Sequence, residues 1–157
     1  MKKVLSSVST IRFQDCDPYN HLNNAQYINY FMNAREDQVL LNYNLDVYKN
    51  ALVHKKAWVV GTNQIAYLNP AFLMEKVVIE SQVIAFGPKT ITIEGRMWNE
   101  DKSHLKSFIW VSLVYYDMKE SVVAKHDEET MALFENIYNP IEQNSFEERL
   151  GFFRLNK

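Results

Sequence analysis

Arg12-Phe13-Gln14-Asp15-Cys16-Asp17-Pro18-Tyr19-Asn20-His21-Leu22-Asn23-Asn24 is the stretch on which the fold turns. Before it, residues 8 to 14 read as a short strand, with Ile11 and Phe13 on one face and Thr10 and Arg12 on the other. Behind it, Asn23 or Asn24 is a good N-cap, and a helical pattern runs from Ala25 to about Asn42. Carboxylates, an imidazole and amides are thus packed between two elements that must be buried. Polar groups at such a junction cost free energy unless they are paired or used. A strand, a polar loop and a helix N-terminus together can set a carboxylate beside backbone N–H groups, an arrangement suited to a carbonyl substrate.

Outward from this stretch, Tyr27, Ile28, Tyr30, Phe31, Met32, Ala34, Val39, Leu40 and Leu41 cover most of the helix circumference. A helix apolar nearly all round is expected to be wrapped by other structure, so this one should be central. Residues 43 to 56 read as a linker. Strands are expected at Trp58 to Leu68, Lys76 to Phe86, Lys89 to Trp98 and His104 to Tyr116, separated by Asn69-Pro70, Gly87-Pro88 and the turn of residues 99 to 102. In the third of these, Ile91, Ile93, Gly95 and Met97 alternate with Thr92, Glu94 and Arg96. Consecutive long strands joined by tight turns make an antiparallel meander. Asp127 to Ile137 reads as a short helix with acids in its first turn. In the tail, Ser145-Phe146-Glu147-Glu148 resembles a capping box and Gly151 a helix stop. Phe146, Leu150, Phe152 and Phe153 are too apolar for a free tail, and docking on this subunit or a neighbour is expected. The class is α+β: one helix against a curved antiparallel sheet.

Bulk properties narrow the function. With 157 residues, 47% hydrophobic and 23% charged, the chain fits one folded domain with a substantial core. Nine Tyr and nine Phe suggest an apolar pocket or a subunit interface. A net charge of −2 gives no basic footprint for nucleic acid. One cysteine, Cys16, excludes an intrachain disulfide and fits a reducing compartment. No signal-peptide pattern or membrane-length apolar run is seen, so a cytoplasmic protein acting away from membranes is expected.

The pattern Arg12-x-x-Asp15-x-Asp17-x-x-Asn20-His21-x-Asn23-Asn24, followed by Tyr27 and Tyr30-Phe31, resembles the 4-hydroxybenzoyl-CoA thioesterase group of the hotdog-fold superfamily. The resemblance covers roughly residues 8 to 137 and is specific over 12 to 35. It implies a single hotdog domain over 1-157, with a core of about 8-137 and a C-terminal extension at 138-157. It also implies a homodimer or homotetramer with sheets joined edge to edge and active sites at the subunit interface. Asp17 falls on the family's catalytic carboxylate, and His21-Leu22-Asn23-Asn24 on the loop that enters the helix. Asn20 stands where the family often has Gly, and Asn tolerates positive φ better than most residues. Tyr19 stands where the plant acyl-ACP enzymes carry an Asn.

The expected activity is hydrolysis of an acyl-CoA thioester to a free acid and CoA, with Asp17 as nucleophile or general base. The start of the central helix near Asn24 and Ala25 would polarise the carbonyl. His21 orients Asp17, binds substrate or serves the loop. Asn23, Asn24, Ala25 and Tyr27 are candidate substrate contacts. Lys89 and Thr90, after Gly87-Pro88, match a region that often meets CoA in relatives, and a solvated turn lysine is the plain alternative. An acyl tunnel would be lined by aromatics of the central helix and the sheet. No metal or cofactor is called for. The plain alternative is that Asp17 merely caps the loop or the helix, as Asp does routinely. Asp15 reads as a loop-stabilising or exposed acid. Cys16, between two acids, is a poor nucleophile, and Glu36 reads as a salt-bridged or solvated helix residue. The alternatives are an acyl-ACP thioesterase, or a non-catalytic hotdog module that binds acyl thioesters.

Other motifs fail on detail. For a calcium loop, Asn20 replaces the sharp-turn Gly and Gln26 the bidentate Glu. A haloacid-dehalogenase-type aspartyl nucleophile would need a parallel α/β core. His21, His54, His104 and His126 lack metal-ligand spacing, and neither a Gly-x-Ser-x-Gly elbow nor a P-loop is present.

Overall fold

A computed structural model describes residues 1–156. The strands are β1 (Leu5–Thr10), β2 (Lys56–Tyr67), β3 (Lys76–Phe86), β4 (Thr90–Asn99), β5 (Leu105–Asp117) and the short β6 (Val122–Val123). The helices are α1 (Tyr27–Tyr43), α2 (Val47–His54), α3 (Glu128–Ile137) and α4 (Phe146–Leu155). One sheet runs in the order β1-β3-β4-β5-β2, with every adjacent pair antiparallel and β6 pairing β5. The expected meander is β3-β4-β5. β2 precedes it in the chain yet pairs with β5 along its whole length, leaving its outer edge open.

Helix α1 lies on one face of this sheet, where Ile91, Ile93 and Met97 of β4 are buried. Gly95 is the closest approach: a Cβ there would sit 2.8 Å from Phe31 Cδ1 and 3.0 Å from Ile109 Cγ2. The helix can rest against β4 because that position has no side chain. Glu94 points the opposite way and is fully buried under α4. Arg149 of α4 donates to both Glu94 oxygens, at 2.8 and 2.6 Å, and Arg96 and Trp110 donate to the same carboxylate. Phe146 stacks on Phe108 with ring centroids 4.7 Å apart, and Phe153 packs on the same ring. The C-terminal segment therefore docks on its own subunit.

Four expectations need correction. The first strand is Leu5–Thr10, and Phe13–Asp15 form a 3-10 turn with Phe13 78% exposed; pairing with β3 stops at Thr10↔Lys76, so the chain leaves the sheet before the apolar pair that suggested a strand. The expected linker contains α2, whose N-cap Asp46 accepts from the Lys49 amide. Gly151 lies within α4 and not at its end. Lastly, α1 is not wrapped on all sides within one chain. Its buried positions are Tyr27, Phe31, Ala34, Arg35, Gln38 and Val39, one stripe at helical spacing, while Leu41 is 83% exposed. Counting apolar residues without their phase hid both the bare face and the two polar residues in the buried one.

Candidate active site

The loop from Arg12 to Asn24 is held by its own backbone. The Asp17 amide donates to His21 O (2.8 Å), Asn20 N to Asp17 O (3.1 Å), and Asn23 N to Asp15 O (2.9 Å). Asn20 adopts φ 60°, the left-handed conformation that its type tolerates. The β2–β3 connection forms the floor: Leu22 N donates to Ala71 O and Leu73 N to Asn20 O. Asp15 is a clamp. Its Oδ2 accepts from the Tyr30 hydroxyl at 2.7 Å, and that hydroxyl accepts in turn from Arg12 N at 3.0 Å. Burial, with the bond to Asp15 behind it, pushes the Tyr30 phenol up to about 12.

Asp17 Oδ1 accepts from the amides of Tyr19 (2.9 Å) and His21 (3.1 Å), the Asx turn that makes the loop tight. No donor reaches Oδ2 among the described residues. The carboxylate thus caps its own loop with one oxygen and keeps the other available. The His21 ring stands edge-on to Phe72, centroids 5.0 Å apart, and neither ring nitrogen has a hydrogen-bond partner among the described residues. Phe72, 46% exposed, is a wall of this site that sequence reading missed; Asn69-Pro70 signalled only a turn. Cys16 donates to Arg12 O at 3.3 Å, and burial, helped by Asp17 and Asp15, raises its thiol pKa, so the thiolate is disfavoured.

At the helix entrance Asn23 is the cap: its Oδ1 accepts from Ala25 N at 3.0 Å. Residues 24–26 make a 3-10 turn before α1, and Asn24 and Ala25 are exposed. The Ala25 amide, expected to be free for a carbonyl, is therefore occupied. Tyr27, expected at the substrate, is 2% exposed and accepts from Ala71 N at 3.2 Å, so it belongs to the core. Glu36 lies well along α1 and accepts from the Tyr48 hydroxyl, with no salt bridge among the described residues. Lys89 and Thr90 are exposed where β4 begins. The Asp17 loop sits beyond the other end of that strand, where Lys76 faces Thr10 and Val77 faces Asn99. A ten-residue strand spans about 30 Å, so one chain does not bring Lys89 and Asp17 together.

A cavity of about 250 Å³ lies between α1, α2, α3 and the helix-covered face of the sheet. Phe31, Tyr43, Trp58 and Phe134 contribute aromatic wall, with Ile91 and Leu113 from the sheet. Neither Asp17 nor His21 lines it.

An antiparallel sheet curled against one long helix, with a polar loop feeding that helix, is the hotdog architecture of thioesterases. The chain belongs to the thioesterase-like superfamily, whose model matches residues 11–134. It is similar to the long-chain acyl-CoA thioesterase FadM of Escherichia coli (strain K12), 28% identical over 109 residues that cover 69% of this chain and 80% of that protein. Among solved structures it resembles YbaW, a probable thioesterase from Escherichia coli, at TM-score 0.73 and 24% identity over 86% of this chain and 99% of the other. It also resembles SAV2348 from Staphylococcus aureus, solved in complex with CoA, at TM-score 0.79 and 16% identity over 96% and 94% of the two chains. The protein is a thioester hydrolase by family. Among the described residues, no helix is long and apolar enough to cross a membrane.

Proposed function

We propose that this protein hydrolyses acyl-CoA thioesters and that Asp17 carries the chemistry. The supporting observation is the division of labour in its carboxylate, with Oδ1 bound by two amides and Oδ2 open beside the helix entrance. As nucleophile, Oδ2 adds to the thioester carbonyl; the C–S bond breaks, CoA leaves as thiolate and is protonated, and water cleaves the mixed anhydride. As general base, Oδ2 takes a proton from a water whose oxygen adds to the same carbon, giving the acid and CoA directly. With Ala25 N occupied, the developing oxyanion is left to the side-chain amides of Asn23 and Asn24 and the first backbone N–H groups of the helix. FadM acts on long-chain acyl-CoA, and the cavity beside α1 is apolar enough for an alkyl chain.

The site is built from two copies. β2 is a twelve-residue edge strand in which Val59 and Val60 are exposed. Its Tyr67 end lies at the catalytic loop, where the Tyr67 hydroxyl donates to Asn24 O at 3.0 Å. The Lys56 end lies near Lys89, whose carbonyl accepts from Tyr115 N in the strand beside it. Two β2 edges paired antiparallel about a twofold axis would set the Asp17 loop of one copy against Lys89, Thr90 and the cavity mouth of the other. A lysine and a strand-end amide there suit the phosphates of CoA.

Thiol release from short, long and aromatic acyl-CoAs, compared between the native protein and Asp17→Asn, tests the reading. Collapse of hydrolysis in a folded variant supports it; unchanged turnover removes Asp17 from the chemistry. Turnover of acyl-carrier-protein thioesters alone would give the carrier-protein enzyme, and no turnover of either would leave a binding module.

A further inference from the structure

A guanidinium that the loop chemistry does not use stands in the wall of the apolar cavity. Arg35 projects from the buried stripe of α1 and is 9% exposed. Its Nη1 donates to Ser81 Oγ at 3.0 Å. Ser81 Oγ donates to Gln38, and Gln38 Nε2 is spent on Ser7 Oγ (2.8 Å) and Ile79 O (2.9 Å). The Tyr43 hydroxyl lies beside the guanidinium and is itself anchored on Lys2 O. No carboxylate comes within 4 Å of Arg35 among the described residues, whereas Arg96 and Arg149 both rest on Glu94. Glu36, on the next position of α1, is turned to the Tyr48 hydroxyl at the cavity rim.

A guanidinium carries five N–H donors, and buried cations are normally paired because the desolvation cost is large. No fully enclosed side-chain nitrogen or oxygen among the described residues lacks a partner. The nitrogens that neither Ser81 nor the Tyr43 hydroxyl engages are therefore not fully enclosed, and the open volume that Arg35 lines is the cavity. Burial holds the group down to about 10, still charged at neutral pH. A purely hydrocarbon ligand would leave these donors unmet, at the cost that unpaired buried groups carry.

Resting on the acyl-CoA reading, we infer that Arg35 is a specificity-determining residue for acyl chains that carry a hydrogen-bond-accepting oxygen, a hydroxyl or carboxylate, remote from the thioester. Such an oxygen completes the guanidinium's bonding inside an otherwise apolar wall and gives a charge-assisted contact.

Binding by calorimetry of S-alkyl-CoA thioethers, which no hydrolase cleaves, separates this from catalysis. The panel is octyl, dodecyl and hexadecyl chains, each methyl-ended, ω-hydroxy and ω-carboxy. The expected result is that, for at least one length, an oxygen-ended chain binds the native protein on the order of tenfold tighter than its methyl-ended match. In Arg35→Met that preference disappears while methyl-ended chains still bind. Arg35→Lys, which keeps the stem and charge with fewer donors, should show a reduced preference and covers the case in which the Met variant does not fold. Methyl-ended chains preferred at every length, or a preference that survives loss of the guanidinium, overturns the assignment. A native protein that binds no thioether sinks the acyl-CoA reading and this inference with it, while good binding without the oxygen preference sinks the inference alone.

Discussion

The two oxygens of Asp17 stand in different surroundings, and substitutions separate their contributions. Asp17→Asn keeps an acceptor for the Tyr19 and His21 amides and removes the charge. It should retain the native unfolding temperature while lowering kcat by about 100-fold or more. Asp17→Ala loses the loop cap as well, so its unfolding should shift by about 1 kcal/mol in addition to the loss of turnover. A denaturant melt beside the thiol assay distinguishes the two. His126 gives a second prediction at this scale. Its Nε2 accepts from Trp58 Nε1 at 3.1 Å and its Nδ1 bonds Gly87 O at 3.0 Å, which fixes the neutral ring among Trp58, Tyr115 and Phe134. Burial lowers its pKa against the opposing bond to Gly87 and the charge of Asp127. The unfolded chain therefore binds the proton more readily. The stabilisation is present in full above the unfolded pKa of about 6.5 and is lost as pH falls through the folded value. Urea midpoints taken from pH 7.5 downward should decline across this window, and less steeply in His126→Gln.

Between elements, the decisive contact is the seat of α1 on β4. Gly95→Ala would push a methyl to 2.8 Å from the Phe31 ring, and should cost about 1–3 kcal/mol of stability. Pairing it with Phe31→Leu should recover part of that loss, measured as coupling in a double-mutant cycle. Gly95 was legible in the sequence, because it takes an inward position in the alternation with Ile91, Ile93 and Met97. Strand-forming runs set between turn signals located β3, β4 and β5 to within a residue or so at each end. Elements were misplaced or missed where the local signal was weak. β1 is Leu-Ser-Ser-Val-Ser-Thr, with few β-formers, and takes its structure from pairing with β3. α2 has no buried residue, and its eight residues are too short a run for an apolar periodicity to stand out. The Asp17 loop was legible because its residue types are costly to bury without use; Phe72 and Arg35 were not, since nothing local tells where a lone aromatic or arginine will face.

For the whole molecule, the separation of Asp17 from Lys89 by the length of β4 makes a prediction about mixed assemblies. If each site draws on two copies, Asp17→Asn and Lys89→Ala proteins, both weak alone, should complement when unfolded and refolded together. Random pairing would restore roughly a quarter of the sites. Activity equal to the mean of the parents would mean that Lys89 serves no neighbouring site. Light scattering on the native protein, beside a variant with Val59 and Val60 both changed to Lys on the open edge, reports the pairing itself.

The position of β2 beside β5 also orders events on a growing chain. Local closure is available to β3, β4 and β5 through short turns, but β2 leaves the ribosome before all three and its partner in the sheet, β5, is the last of them to arrive. Until Asp117 is free, the twelve residues of β2 and the cavity wall they carry have no ladder to join. Long-range pairing of this kind is slow and exposes unpaired backbone meanwhile. Nascent chains halted before β5 should therefore yield to protease between residues 56 and 67, and chains extended past it should resist.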